Sequence, residues 1–243
     1  MNFYAVIIGT EILNNRRTDK HFEFVRDELA KYGHELFSSL IIKDDRDLIS
    51  RTYKMILEDE KSIIFSFGGI GSTPDDLTRE IASEVFTSSP VSTHEKFLAD
   101  IIERFAEKAY PHRIHMADLP PDADLIFNPV NNMSGFSLKN RFFFVPGFPS
   151  MAHPMISSVI KKHFGEKVLK YRKTLLAKTS EETLITLMQQ LPKEIELSCL
   201  PIFKDNTPYV ELSLSSINEN IVIKYFNKFI DNLQQRDISY NLI

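Results

Sequence analysis

The sequence predicts an α/β domain built on a mostly parallel sheet, followed by a small α+β domain. Three observations predict it. Short, continuously apolar runs alternate with helical patterns from Phe3 to Phe86, as in βαβ units with right-handed crossovers. The stretch from Pro111 to Pro149 changes character, with prolines, asparagines and brief strand candidates. Beyond Gly165 the pattern becomes βαββα, which places a boundary near Phe164 to Lys167 and domains at 1–166 and 167–243.

The elements follow in order. "FYAVIIG" is an apolar run ending at glycine, suited to a strand buried on both faces. In the next segment Phe22, Val25, Leu29 and Tyr32 recur at helical spacing, Thr18 or Asp19 can cap the start, and Gly33 can close the end. "ELFSSLIIK" reads as a strand, "DDRDLISRTYKMILEDE" as a helix with an acidic first turn, and "SIIFSF" as another buried strand. "DDLTREIASEVF" and "STHEKFLADIIERFAEKAY" read as helices. "ADLIF", "GFSL" and "RFFFVPG" are short strands, and a helix begins at Pro149 and carries Pro154 in its early turns. In the second domain "KVLKYRKTLLAKT" is extended and basic, and "SEETLITLMQQL" is a helix capped by Ser180. "EIELSCLPIF" and "PYVELSLSS" are strands joined by the turn "KDNTP", and "NENIVIKYFNKFIDNLQQR" is the last helix.

The whole chain narrows the functional classes. Its 243 residues suffice for one large domain and one small one. A net charge of −4 lacks the basic footprint that general nucleic-acid binding needs. The single cysteine, Cys199, cannot form an internal disulfide, so a reducing cytoplasm is expected. "MNFYAVIIGTEIL" has no basic segment before its short apolar run, and Glu11 interrupts that run. Neither a signal peptide nor a membrane span is expected.

The chemistry concentrates in "GGIGSTPDDLT". Gly68, Gly69 and Gly71 follow a buried strand, yet no Lys-Ser/Thr pair completes a P-loop and no G-x-G-x-x-G spacing is present. One reading is structural: Thr73 caps a helix, Pro74 takes its first position, Asp75 and Asp76 favour its positive end, and Asp76 closes a capping box. The other starts from the sheet. Ligands of open parallel sheets bind beyond the carboxyl ends of the strands. The first strand ends in Thr10-Glu11, the second in Lys43-Asp44-Asp45, and the third in the glycine loop with Asp75 and Asp76. Carboxylates gathered on one edge repel unless a cation sits between them. A divalent metal, Mg²⁺, Mn²⁺ or Co²⁺, would bridge them to a phosphate held by the glycines, Ser72, Thr73 and the helix start.

"GTEIL", "GGIGSTPDDLT", "NPVNNMSGF" and "VPGFPSMAHPM" together resemble the molybdopterin-binding domain of MoaB/Mog-type proteins. The closer likeness is to competence/damage-inducible CinA-type proteins and to the similar domain of some FAD synthases. The resemblance spans about residues 3 to 165 and implies a three-layer α/β/α fold. It implies a metal-dependent pyrophosphatase acting on ADP-ribose or an FAD-like compound, or a protein that binds molybdopterin or a nucleotide without turnover. It makes Asp76, Asp75 and Asp44 the catalytic carboxylates and Asp76, Asp75 and Glu11 the metal ligands. Gly68, Gly69, Gly71, Ser72, Thr73, Thr10, Gly147, Pro149 and Asn132 would contact the phosphate or nucleotide. It also implies a homodimer or homotrimer.

The pattern departs at Phe67, where the family often has Thr, at Ser72, where it has Pro, and at Asn15, Asp19 and His21, which stand for an N-T-N motif. The amidase domain that ends longer CinA chains does not follow before Ile243, nor does a synthetase domain, so synthesis of FAD is not expected. Among other candidates, His112 and His115 are read as loop residues rather than metal ligands, and His153 as able to approach the site. Asn131 is read as a turn residue, Lys167 to Lys178 as a solvated linker strand, and Cys199 as a small buried apolar residue.

Overall fold

The computed structural model describes residues 1–205 and 207–243, in two compact units, Met1–Lys167 and Val168–Ile243. In the first unit the chain runs β1 (Asn2–Ile8), the single turn α1 (Thr10–Leu13), α2 (His21–Ala30), β2 (Leu36–Ile42), α3 (Arg46–Leu57) and β3 (Ser62–Phe67). It continues with α4 (Thr78–Thr87), β4 (Ser92–Thr93), α5 (Glu95–Phe105), β5 (Asp118–Leu119), β6 (Asp124–Ile126), β7 (Gly135–Leu138), β8 (Phe142–Val145) and α6 (Pro149–Phe164).

One sheet of six strands has the order β2-β1-β3-β8-β7-β6. The first four are parallel, and β7 and β6 add antiparallel to the far edge. Three residues, Lys139 to Arg141, join β7 to β8 in a turn closed by Arg141 N donating to Leu138 O at 3.0 Å, with Lys139 and Asn140 both at positive φ (55° and 50°). Such turns match the twist of the flanking strands. Alternate residues of each strand face opposite sides. Tyr4, Val6, Ile8, Ile64 and Phe144 pack in the core cluster of α3, α4 and α5, while Ala5, Ile7, Phe65, Phe67 and Val145 pack in the one holding α2 and α6. The result is the expected three-layer α/β/α arrangement.

Local signals position the helices. Asp19 accepts from the His21 and Phe22 amides at 2.9 and 3.1 Å, and Gly33 leaves α2 with φ 78°. Asp45 caps α3 by accepting from Leu48 N at 2.8 Å. α6 begins at Pro149 and runs unbroken past Pro154.

α4 differs from expectation: it starts at Thr78, not at Thr73-Pro74. Thr73 to Asp76 instead forms a tight turn closed by Asp76 N donating to Thr73 O at 3.0 Å. Thr-Pro-Asp-Asp suits a turn as well as a helix start.

The second unit contains β9 (Tyr171–Ala177), α7 (Ile185–Met188), β10 (Glu196–Lys204), β11 (Thr207–Ser216), α8 (Glu219–Gln235) and β12 (Tyr240–Leu242). Its antiparallel sheet has the order β10-β11-β9-β12. Leu175, Val210, Leu212 and Leu214 bury against Val222, Phe226, Phe229 and Leu233 of α8. Three expectations change here. The basic stretch forms an interior strand paired on both sides, not a linker. The helix after Ser180 is only a 3-10 turn and the one α-turn of α7, without a Ser180 side-chain cap; Pro192 lies too close to let it extend. β12 adds a strand that its short, mixed sequence does not announce. Part of the "KDNTP" turn, Asn206, lies outside the described residues.

Candidate functional site

β1 lies between β2 and β3, so the β1–β2 and β2–β3 crossovers run in opposite directions along the sheet. That reversal opens a crevice beyond the carboxyl ends of β1 and β3. A cleft of about 560 Å³ occupies it, lined by Ile8, Glu11, Arg16, Arg17, Asp44, Gly68, Gly69, Thr73, Asp75, Asp76, Gly147 and Phe148. The carboxylates expected from three separate strand ends thus share one cavity.

Each wall has a local cause. Thr10 donates from both N and Oγ1 to Asp44 Oδ2, each at 2.8 Å, tying the end of β1 to the end of β2. The Glu11 carbonyl accepts from Arg16 N at 2.9 Å and Arg17 N at 3.0 Å, which folds the two arginines back to the cleft. Arg17 stands 3.9 Å from the Glu11 carboxylate and 5.6 Å from the centre of the Phe148 ring.

The glycines make room for the chain itself. Gly68 has φ +98°, and a β-carbon there would stand 2.4 Å from the Ile8 carbonyl oxygen. Gly69 has φ +69°, and its β-carbon would meet Thr78 Oγ1 at 2.2 Å. A β-carbon at Gly71 would come within 2.6 Å of Asp76 Oδ2. The three glycines therefore let β1, α4 and the Asp76 carboxylate close in; Gly68 and Gly69 line the cleft, whereas Gly71, expected there too, does not. One amide expected for a phosphate is already used, since Gly68 N donates to Val145 O; Thr78 N, at the actual start of α4, donates to Gly69 O.

Asp76 Oδ2 accepts from Thr73 N at 2.7 Å and Thr73 Oγ1 at 2.5 Å. This is the Asp76 half of the expected capping box, made within a turn instead of a helix. Thr78 Oγ1 donates to Gly68 O at 3.0 Å. Arg79, only 8% exposed, donates to the Gly71 carbonyl. Burial holds its guanidinium below the usual range, while Asp76 and Asp118 draw it back up.

The other expected residues are placed as follows. Ser72 faces a neighbouring cleft with Lys108, Tyr110, His112 and Arg113, and Thr73 lines both cavities. Pro149 opens α6 and lines a smaller pocket of about 340 Å³ with Asp19, His21 and Gly147. Asn132, at φ 58°, donates its amide to Asn128 O at 2.9 Å and does not line the cleft; it serves a turn. Asn131 accepts from Met133 N at 2.9 Å within the same turn. His115 pairs with Asp118 at 2.9 Å. His153 stacks on Phe24 and reaches His21, not the cleft. Cys199 is half-buried rather than buried, and burial and Glu181 push its thiol up to about 11, away from the thiolate a nucleophile needs. Sequence reasoning missed Arg16, Arg17, Phe148 and Arg79. Only "NNRRT", two adjacent arginines just past the first strand, carried a visible signal.

The match to known proteins follows the same residues. Residues 4–166 match the family described as "Probable molybdopterin binding domain". The chain belongs to this family. A CinA-like protein of Acaryochloris marina is 31% identical over 158 residues, covering 62% of this chain and 37% of that protein. A CinA-like protein of Flavobacterium psychrophilum is 27% identical over 249 residues, covering 96% of this chain and 59% of that protein. The chain therefore spans between 37% and 59% of the length of these two curated relatives. The crystal structure of the protein CinA, of unknown function, from Thermoplasma acidophilum superposes with a TM-score of 0.60 at 26% identity, covering 67% of this chain and 97% of that one. A small-molecule ligand is thus implied for the molybdopterin-binding domain. Among the described residues no helix is long and apolar enough to cross a membrane.

Proposed function

We propose that the cleft binds the diphosphate of a nucleoside diphosphate derivative, ADP-ribose or an FAD-like dinucleotide, and hydrolyses it with a divalent metal ion. One observation carries this reading: Arg16 and Arg17 share the β1/β3 cleft with Glu11, Asp44, Asp75 and Asp76. Arginines neutralise phosphate oxygens in the forked geometry they match. Carboxylates in the same cavity are the hard oxygen donors that Mg²⁺, Mn²⁺ or Co²⁺ accepts.

The donor set fits a metal only in part. Among the described residues no three His, Cys, Asp or Glu side chains form a metal cluster. Mg²⁺ commonly takes one or two carboxylates and completes its shell with substrate phosphates. Asp76 and Asp75 would hold it, with Asp44 and Glu11 across the cleft. The ion would polarise the phosphoryl group and lower the pKa of a bound water. The chain's own groups do the rest. Arg16 and Arg17 orient the diphosphate, and Thr73 fixes one oxygen of Asp76 so that the carboxylate keeps one orientation. Thr78 and Arg79 hold the loop carbonyls beneath it. A cytoplasmic homodimer or homotrimer belongs to the same reading, and light scattering tests the assembly.

A second reading, binding of a molybdopterin or nucleotide without turnover, is favoured by Phe67 and His21, which depart from the family pattern and pack on one another beside the glycine loop. Calorimetric titration of ADP-ribose with and without Mg²⁺ separates the two. The hydrolase reading predicts Mg²⁺-dependent affinity that Arg17→Ala lowers about 10- to 100-fold, the size of a lost charge-assisted hydrogen bond. Tight binding of a pterin that EDTA leaves unchanged, with no product over hours, favours the second.

A further inference from the structure

Two positions that depart from the family pattern, Phe67 and His21, lie on one another. Their rings stack at 4.3 Å and 26°. Phe67 is the last residue of β3, directly before Gly68, and His21 is the first of α2. His21 is 3% exposed, and its Nε2 lies 3.2 Å from the Gly147 carbonyl oxygen. A carbonyl only accepts, so Nε2 carries the proton and the neutral ring keeps its lone pair on Nδ1. That Nδ1 is buried with no partner, and so is His153 Nε2. The two imidazoles meet edge to face at 5.3 Å, and His153 lies flat on Phe24 at 3.8 Å. Phe67, His21, His153 and Phe24 thus form one column of rings behind the loop that carries Gly147 and Phe148.

We propose that His21 is a positioning residue for the diphosphate cleft: its Nε2–H holds the Gly147 loop as the wall facing the glycine loop, and proton uptake on the partnerless, buried side of the His21–His153 pair places an unpaired charge behind that wall and opens it. The ligand half of this inference rests on the diphosphate reading; the loop half does not.

Neutral rings fit the column. Neither His21 Nδ1 nor His153 Nε2 has a hydrogen-bond partner, so a proton on His21 Nδ1 puts a charged N–H into a dry site with no acceptor, while the Nε2–H bond to Gly147 persists. The charged groups around the pair are Asp19 and Lys20 at the start of α2, with Glu11 and Arg17 across the small pocket. Asp19 and the Gly147 carbonyl favour the protonated ring, but burial outweighs them at His21. At His153 burial and then His21 itself act in the same direction. Both imidazoles are held below their ordinary range. A depressed histidine stabilises the closed loop fully above the free value of about 6.5, and that contribution is lost as pH falls through the folded value.

The experiment measures amide hydrogen exchange of the 146–152 segment without ligand, corrected for intrinsic rates, and ADP-ribose–Mg²⁺ affinity, both from pH 8 to pH 5.5. It compares wild type with His21→Phe, which keeps the stack and loses the donor, and His21→Gln, which returns a donor. The wild-type loop is expected to lose protection as pH falls. His21→Phe should exchange about three- to tenfold faster at pH 8, lose affinity by a similar factor and show no pH step. His21→Gln should recover most of the protection at pH 8 and also lack the step. A wild-type loop without a pH step, which needs no variant to fold, overturns the proposal. So does a His21→Phe protein that keeps both wild-type protection and the step. Loop responses as expected with no ADP-ribose binding by any protein uphold the positioning role and refute the diphosphate reading.

Discussion

Gly68 meets the Ile8 carbonyl, not a ligand, and that contact sets what its replacement costs. Gly68→Ala places a methyl group 2.4 Å from a backbone oxygen at φ +98°. We expect a loss of at least about 2 kcal/mol in urea unfolding. Gly71→Ala has a different consequence, because the obstructing group is the Asp76 carboxylate. It should displace Asp76 and reduce ligand affinity more than stability. Neighbouring aspartates separate in the same way. Asp45 caps α3, whereas Asp44 lines the cleft and ties down Thr10. Asp45→Ala should cost about 1 kcal/mol of stability with ligand affinity unchanged. Asp44→Ala should weaken metal-dependent ADP-ribose binding. Equal effects of the two substitutions on binding would contradict the assignment of the cleft.

At the scale of elements, α4 illustrates both what the sequence disclosed and what it hid. The apolar runs of β1 and β3 were legible because strands buried on both faces need no polar alternation. The glycines and aspartates between β3 and α4 announced a site. The actual start of α4 at Thr78 was not legible, since Thr-Pro-Asp-Asp satisfies turn and helix rules alike. Thr78 then takes a role that no local pattern assigns: its hydroxyl and amide hold the Gly68 and Gly69 carbonyls. Thr78→Val keeps the shape and removes the hydroxyl, so it should cost about 1 kcal/mol and loosen the glycine loop in hydrogen exchange. Contacts far apart in the chain were equally hidden. The His21–Phe67 and His21–His153 pairings arise from packing α2 and α6 on one face of the sheet, and periodicity shows only that those helices exist. β12 escaped because it is too short to show a period, whereas the helical pattern after Ser180 promised more than the one turn of α7 that forms.

At the scale of the whole molecule, every residue of the cleft falls within Met1–Lys167. The second unit has its own buried core around Leu212, Phe226 and Phe229. A 1–167 fragment should therefore fold and bind ADP-ribose–Mg²⁺ as the full chain does, checked by circular dichroism and calorimetry. The negative charge of the chain is no obstacle to an anionic ligand, because Arg16 and Arg17 supply positive charge where the carboxylates converge. We propose that these groups hydrolyse a diphosphate with a metal ion. The most direct test is AMP release from ADP-ribose and FAD with Mg²⁺, Mn²⁺ or Co²⁺, wild type beside Asp76→Ala. The expected result is metal-dependent AMP release by the wild type, abolished by EDTA and lost in Asp76→Ala. Full turnover by Asp76→Ala, or no turnover by either protein while ligand stays bound, would contradict it.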